Sequence, residues 1–270
     1  MRCGVNLTSP SSLAVIKRLL DDGEVDFCEI LVDNFLHLDP KMMCEFVGDV
    51  PVGFHIMWSR FLERDDGSLV VIAKRLRCWI DALAPVYVSD HVAQFTVEGR
   101  LLPLLAEIEY GRNYSKVRDR VLFWQDLLGV QILLENFPSS MDDEGRQIEF
   151  YTRLLKETQC ALLFDCSNAV VAEINCQVDA SGWLAIASEG SNYHIAGFRK
   201  TQGDPLLAID THDVPIVERS LEVLSSIAAS RPGGWTDMTV VIERDANIEF
   251  DSWADELRRV RALEETAVWT

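Results

Sequence analysis

The chain has 270 residues, 48% apolar and 25% charged, a globular composition at a length where α/β barrels commonly form one domain. Its 43 acidic against 25 basic side chains leave a net charge of −18, which repels phosphate backbones and acidic lipid, and no apolar run approaches the roughly 20 residues that span a bilayer. Nucleic acid and membrane are therefore excluded as expected partners. Cationic peptides or metal ions suit the field, and seven scattered cysteines without a Cys-x-x-Cys pair, behind a start with no signal-peptide region, read as reduced thiols in a cytoplasmic protein.

Short apolar runs rich in β-branched residues alternate with longer amphipathic stretches, the pattern of a parallel sheet with crossover helices. Strands are expected at 3–7, 27–32, 52–56, 86–89, 131–135, 161–164, 193–196 and 239–243. Helices are expected near 11–22, 40–48, 68–84, 112–128, 147–158, 178–188, 214–229 and 251–265, those at 11 and 68 following Ser or Gly residues able to cap them. Eight units with no linker predict a single (βα)8 TIM-barrel domain over 1–270. An open doubly wound sheet is the alternative, but Val5-Asn6-Leu7-Thr8 stands where a dinucleotide fold carries its phosphate-cradling glycines.

Barrel chemistry belongs at the C-terminal ends of the strands, and four of the five histidines fall there. His55 lies in Phe54-His55-Ile56, His91 follows Val88-Ser89-Asp90, His194 lies in Tyr193-His194-Ile195, and His212 in Asp210-Thr211-His212-Asp213. His37 has no such company and reads as a satisfied core or surface imidazole. Glu135, Asp165 and Glu243 each end an apolar run. One acid there is commonly a helix cap, but three beside four histidines repel unless a cation or proton neutralises them.

With Asp210 and the carbonyl of Asn168, the rim set exceeds the four or so ligands that one tetrahedral ion takes, so two or three ions are expected. Nitrogen and oxygen donors suit iron, manganese or zinc. Glu135 and Glu243 are the expected bridges between ions about 3.5–4 Å apart. Cys166 reads as an inert buried thiol, Trp58 with Phe61 as a candidate substrate wall, and Arg60 or Arg64 as a grip for a substrate carboxylate.

These segments resemble those of the multinuclear non-heme iron-dependent oxidative enzymes. The likeness rests on Phe54-His55-Ile56-Met57, Val86-Tyr87-Val88-Ser89-Asp90-His91, Leu134-Glu135-Asn136, Phe164-Asp165-Cys166-Ser167-Asn168-Ala169, His194-Ile195-Ala196-Gly197, Asp210-Thr211-His212-Asp213 and Glu243-Arg244-Asp245. Leu31-Val32-Asp33-Asn34-Phe35 and Phe61-Leu62-Glu63-Arg64-Asp65 resemble the methanobactin branch. The resemblance implies a xylose-isomerase-like TIM barrel holding two or three irons in mixed ferrous and ferric states, with dioxygen as co-substrate. It implies a four-electron oxidation of a cysteine in a ribosomally made, MbnA-like precursor peptide to an oxazolone with an adjacent thioamide, aided by a small MbnC-like partner protein. His55 and His91 would hold one iron, Glu135 would bridge to a second that takes Asp165, His194 and Glu243, and Asn168, Asp210 and His212 would complete a third. Asp90 stands behind the ligands as a candidate for proton transfer.

A divalent-metal sugar isomerase or hydrolase on the same barrel is the competing expectation. The charge counts against an abasic-site endonuclease, and no strand carries the lysine an isomerase would use. A binding-only scaffold would show substituted ligand positions, and none does.

Overall fold

A strand buried on both faces reads as an unbroken apolar run, and that is how the sequence lays down its sheet. The computed structural model describes residues 1–142, 144–204 and 206–267. In chain order β1 (Arg2–Leu7), α1 (Leu13–Asp21), β2 (Phe27–Leu31), α2 (Pro40–Val47), β3 (Val52–Ile56) and α3 (Asp66–Leu83) give three βα units. β4 (Val88–His91) is followed by a ribbon of β5 (Gln94–Val97) and β6 (Arg100–Ala106) before α4 (Tyr114–Leu128). Then come β7 (Ile132–Glu135), α5 (Arg146–Thr158), β8 (Ala161–Asp165), α6 (Cys166–Cys176), the short α7 (Leu184–Ala187) and β9 (Asn192–Ala196). A second ribbon, β10 (Phe198–Lys200) with β11 (Ala208–Asp210), precedes α8 (Glu218–Ser230), β12 (Thr239–Glu243) and α9 (Phe250–Ala267).

Eight strands pair in parallel and close in the order β1-β12-β9-β8-β7-β4-β3-β2, so the fold is a TIM barrel. Helices seal the outside with apolar stripes, as α3 does with Leu69, Ala73, Leu76 and Trp79. No helix among the described residues is long and apolar enough to cross a membrane.

Strand side chains alternate, and inside the barrel this alternation builds two layers. Phe27, Tyr87, Leu133, Leu163 and Val241 form a small buried cluster of their own. Two residues further along each chain segment stand Glu29, Ser89, Glu135, Asp165 and Glu243, all buried. The lower layer is an apolar plug, and the upper one is the polar floor of the barrel mouth. Gly53 makes room for the plug, since a Cβ there would lie 2.6 Å from the Tyr87 ring and 2.7 Å from that of Phe27.

Several local expectations need correction. The segment after β8 is helical at once, as α6, instead of first at 178. Its face is buried almost all round, so it lacks the amphipathic period that marks a surface helix. The helix expected from 68 starts at Asp66, capped by Asp65, which accepts from the Ser68 backbone N–H. Ser12 precedes α1 without a side-chain cap. Neither ribbon was expected, and β4 extends to include His91.

The loop after β11 folds back tightly on β9. His212 adopts a left-handed φ of 48°, its N–H donates to the Gly197 carbonyl, and its own carbonyl accepts from Asp245 N. A Cβ at residue 197 would stand 1.9 Å from the Val214 carbonyl oxygen. Gly197→Ala is therefore expected to destabilise the protein by about 1–3 kcal/mol and to displace His212. Urea denaturation checks the first effect and the His212 imidazole resonances the second; wild-type values in both contradict this reading of the loop.

Candidate metal centre

Neighbouring strands bring the rim residues together in register: His91 pairs with Glu135, Asp165 with His194, and His55 with Ser89. His55, His91 and Glu135 form one group able to surround an ion, and Glu135, Asp165, His194 and Glu243 form a second, each offering ligand atoms within 4.8 Å of one another. Glu135 belongs to both. Its Oε2 lies 3.0 Å from His91 Nε2 and 3.4 Å from His55 Nε2, while its Oε1 lies 3.4 Å from His194 Nδ1. Glu243 Oε2 lies 3.1 Å from His194 Nδ1 and 4.0 Å from His212 Nδ1.

Each of the three deep histidines has its outer ring nitrogen committed. Ser89 donates its hydroxyl to the Phe54 carbonyl and so accepts from His55 Nδ1, at 2.8 Å. His91 Nδ1 donates to the Ile56 carbonyl at 3.2 Å. His194 Nε2 meets Glu29 Oε2 at 2.9 Å. The inner nitrogens therefore face carboxylate oxygens, an arrangement that holds only with a proton or a cation between them.

Asp165 takes the helix-cap role considered from the sequence with one oxygen and leaves the other turned to the barrel mouth. Its Oδ1 caps α6 by accepting from Ser167 N and Asn168 N, and its Oδ2 is buried with no hydrogen-bond partner. Asn168 Oδ1, His194 Nδ1 and Glu243 Oε2 are buried in the same condition. His212 Nε2 and Asp210 Oδ1 lie 2.7 Å apart at the mouth. These four unpartnered atoms, with the His212–Asp210 pair above them, fit a hard-cation cluster of imidazole, carboxylate and amide ligands.

The electrostatics follow from crowding. Burial raises the Asp165 carboxyl well above its ordinary range, and the charges of Glu135, Glu243 and Asp210 add to it. Burial also raises Glu243, against the pull of His194 and His212. Glu135 is driven well below the usual range: burial opposes this, but hydrogen bonds and charge from His194 and His91 outweigh it. Burial, helped by the charge of His91, lowers His55 to about 4. For His91 burial is outweighed by the hydrogen bond and charge of Glu135, and the imidazole rises to about 9.

Other expected residues lie elsewhere. Asp90 turns outward, accepting from Trp124 Nε1 at 2.9 Å and from His91 N. Phe61 is buried against Trp124 and is no part of a substrate wall, whereas Trp58 is exposed and tilts over Phe95. Arg64 is bound to the Ser59 and Trp58 carbonyls, and Arg60 to Glu63. Sequence reasoning missed Glu29 and Tyr87, which donates its hydroxyl to Glu29 Oε2 at 2.6 Å. The available signal was an acid inside the apolar run Phe27-Cys28-Glu29-Ile30, two residues past a plug position.

His91, with its pKa raised from 6.5 to about 9, gives the metal-free protein stability that is complete below 6.5 and lost as pH rises through about 9. The unfolding free-energy gap between chelator-treated wild type and His91→Gln should therefore narrow over that interval in urea titrations. A gap that widens contradicts the pairing of His91 with Glu135.

The family described as RiPP precursor modification enzyme MbnB/TglH/ChrH matches residues 2–265. A UPF0276 protein of Rhizorhabdus wittichii is 33% identical over 249 residues, covering 88% of this chain and 86% of that one. One from Caulobacter vibrioides is 32% identical over the same length and coverage. Among solved structures, a xylose isomerase-like TIM barrel protein from Mycobacterium smegmatis in complex with magnesium aligns at TM-score 0.63 and 13% identity, over 97% of this chain and 96% of that one. Endonuclease IV from Thermus thermophilus aligns at 0.58 and 16%, over 98% and 100%. At such identities these two show the fold alone. The sequence match over nearly the whole length shows more: the chain belongs to the MbnB/TglH/ChrH family of enzymes that modify ribosomally made peptide precursors.

Proposed function

We propose that this chain, working as one barrel domain in the cytoplasm, is an iron- and dioxygen-dependent oxidase that converts a cysteine of a precursor peptide into an oxazolone with an adjacent thioamide. The peptide is of the MbnA kind, a methanobactin precursor, and a small MbnC-like partner protein assists. The observation that carries the reading is the convergence of His55, His91 and His194, each with its outer nitrogen committed, on the carboxylates of Glu135, Asp165 and Glu243.

His55 and His91 would hold one iron, with Glu135 shared with a second that takes Asp165, His194 and Glu243; Asn168, Asp210 and His212 would complete a third. Iron bound there supplies the redox change that no side chain of this set can make, four electrons passing from the cysteine residue to dioxygen, which leaves as two waters. The chain supplies the rest. The plug beneath the site closes the barrel floor. Ser89, the Ile56 carbonyl and Glu29 hold the imidazole rings in one orientation. His212 Nε2 and Asp210 Oδ1 can hold a proton between them at the mouth.

A peptide suits the surroundings. The pocket over the cluster has a volume of about 350 Å³, and Leu104 and Leu105 of the first ribbon line it together with Met57 and Phe137. Leu101 and Leu104 on that ribbon, Leu206, Leu207 and Ile209 on or beside the other, and Met141 and Trp58 in the loops after β7 and β3 are exposed apolar side chains. Such a margin can hold the residues flanking a cysteine.

The test is the iron-loaded protein, its partner and a single-cysteine precursor peptide in air, followed by mass spectrometry. The product should have lost four hydrogen atoms, and a Cys→Ser peptide should be unchanged. Glu135→Gln and His194→Ala are expected to cut turnover and iron affinity by at least about 100-fold, the upper end of what removing a ligand's hydrogen-bond partner costs. His37→Ala, in an exposed loop, should change neither. Equal iron loss in all three variants contradicts the ligand assignment.

A further inference from the structure

Of the three deep histidines, two rest their outer nitrogens on neutral groups, the Ser89 hydroxyl and the Ile56 carbonyl. His194 alone of the three rests on a carboxylate. Glu29 comes from β2, is 1% exposed, and belongs to neither ligand group. Its Oε2 takes both the Tyr87 hydroxyl, at 2.6 Å, and His194 Nε2, at 2.9 Å. A carboxylate has no hydrogen to give, so Nε2 must be the donor. Nδ1 is then the nitrogen turned inward, 3.1 Å from Glu243 Oε2 and 3.4 Å from Glu135 Oε1, where it offers a lone pair to a cation that displaces its proton. Tyr87 is itself fixed from below by stacking on Phe27, with ring centroids 5.6 Å apart.

We propose that Glu29, braced by Tyr87, is a positioning residue that locks His194 with Nδ1 facing the cluster and so governs ion binding at the Glu135, Asp165, His194 and Glu243 group without governing it at the His55, His91 and Glu135 group. The inference rests on the metal reading above. A carboxylate behind an imidazole fixes its tautomer and raises its basicity as a ligand, and here the hydrogen bond acts on His194 alone, while His55 feels only the charge of Glu29. Deletion of Glu29 leaves His194 free to rotate or to present its other nitrogen, while Ser89 and the Ile56 carbonyl still hold His55 and His91.

Cobalt(II) titration of the chelator-treated full-length protein tests this, with visible absorption and competition by a chelator as readouts. Wild type should show at least two separable classes of cobalt. Glu29→Leu should weaken one class by about 10- to 100-fold and shift its absorption band, leaving the other class as it was. Glu29→Gln, whose side-chain carbonyl can still accept from Nε2, should recover the band and part of the affinity. Tyr87→Phe, which keeps the ring in the plug, should give a smaller loss in the same class. The proposal is overturned if both classes weaken together, if neither changes, or if Gln behaves as Leu. A wild type that binds no cobalt overturns the metal reading itself, which separates the two failures.

Discussion

Four carboxylates from four strands, Glu29, Glu135, Asp165 and Glu243, are buried in one barrel mouth with His55, His91 and His194 standing between them. Like charges at such separations in a low-dielectric interior cannot all remain ionised alone, because neither water nor salt screens them. The rest of the site is arranged around satisfying that crowd from two sides. Outer atoms are paired with hydroxyl, carbonyl, carboxylate or backbone N–H partners, and inner atoms are aimed at a common centre. The opposed shifts of His55 and His91, one imidazole pushed down and its neighbour raised, express the same crowding.

The barrel makes this possible at modest structural cost. A parallel strand presents alternate side chains to the lumen, so the apolar plug of Phe27, Tyr87, Leu133, Leu163 and Val241 and the polar layer above it come from the same strands two residues apart. The plug fixes the depth of the layer, and the register fixes its lateral order. Function then enters through the loops. The two ribbons and the turn at His212 sit at the C-terminal ends of the strands, where a peptide must approach.

Much of this was legible in the sequence because the barrel writes its layers as a period of two within apolar runs. Glu135, Asp165 and Glu243 were easy to see since each terminates its strand. Glu29 was hidden because β2 continues for two more residues past the polar layer, so the acid falls inside an apolar run. Helix α6 was hidden for the opposite reason: Cys166, Ala169, Val170 and Val171 are all buried, and without a wet face the helical period disappears. The first ribbon did leave a trace, Glu98-Gly99, whose two residues both adopt positive φ as a tight hairpin turn requires. Which donors share an ion was not legible, since spacing along the chain carries no information about distances across the barrel mouth.

The most direct measurement is metal content with Mössbauer spectroscopy on protein produced in iron-supplemented cells. Two to three irons per chain, in mixed ferrous and ferric states, is the predicted result. Stoichiometric zinc or manganese that persists despite the iron supply would contradict the oxidase reading and favour a redox-silent isomerase or hydrolase on the same barrel.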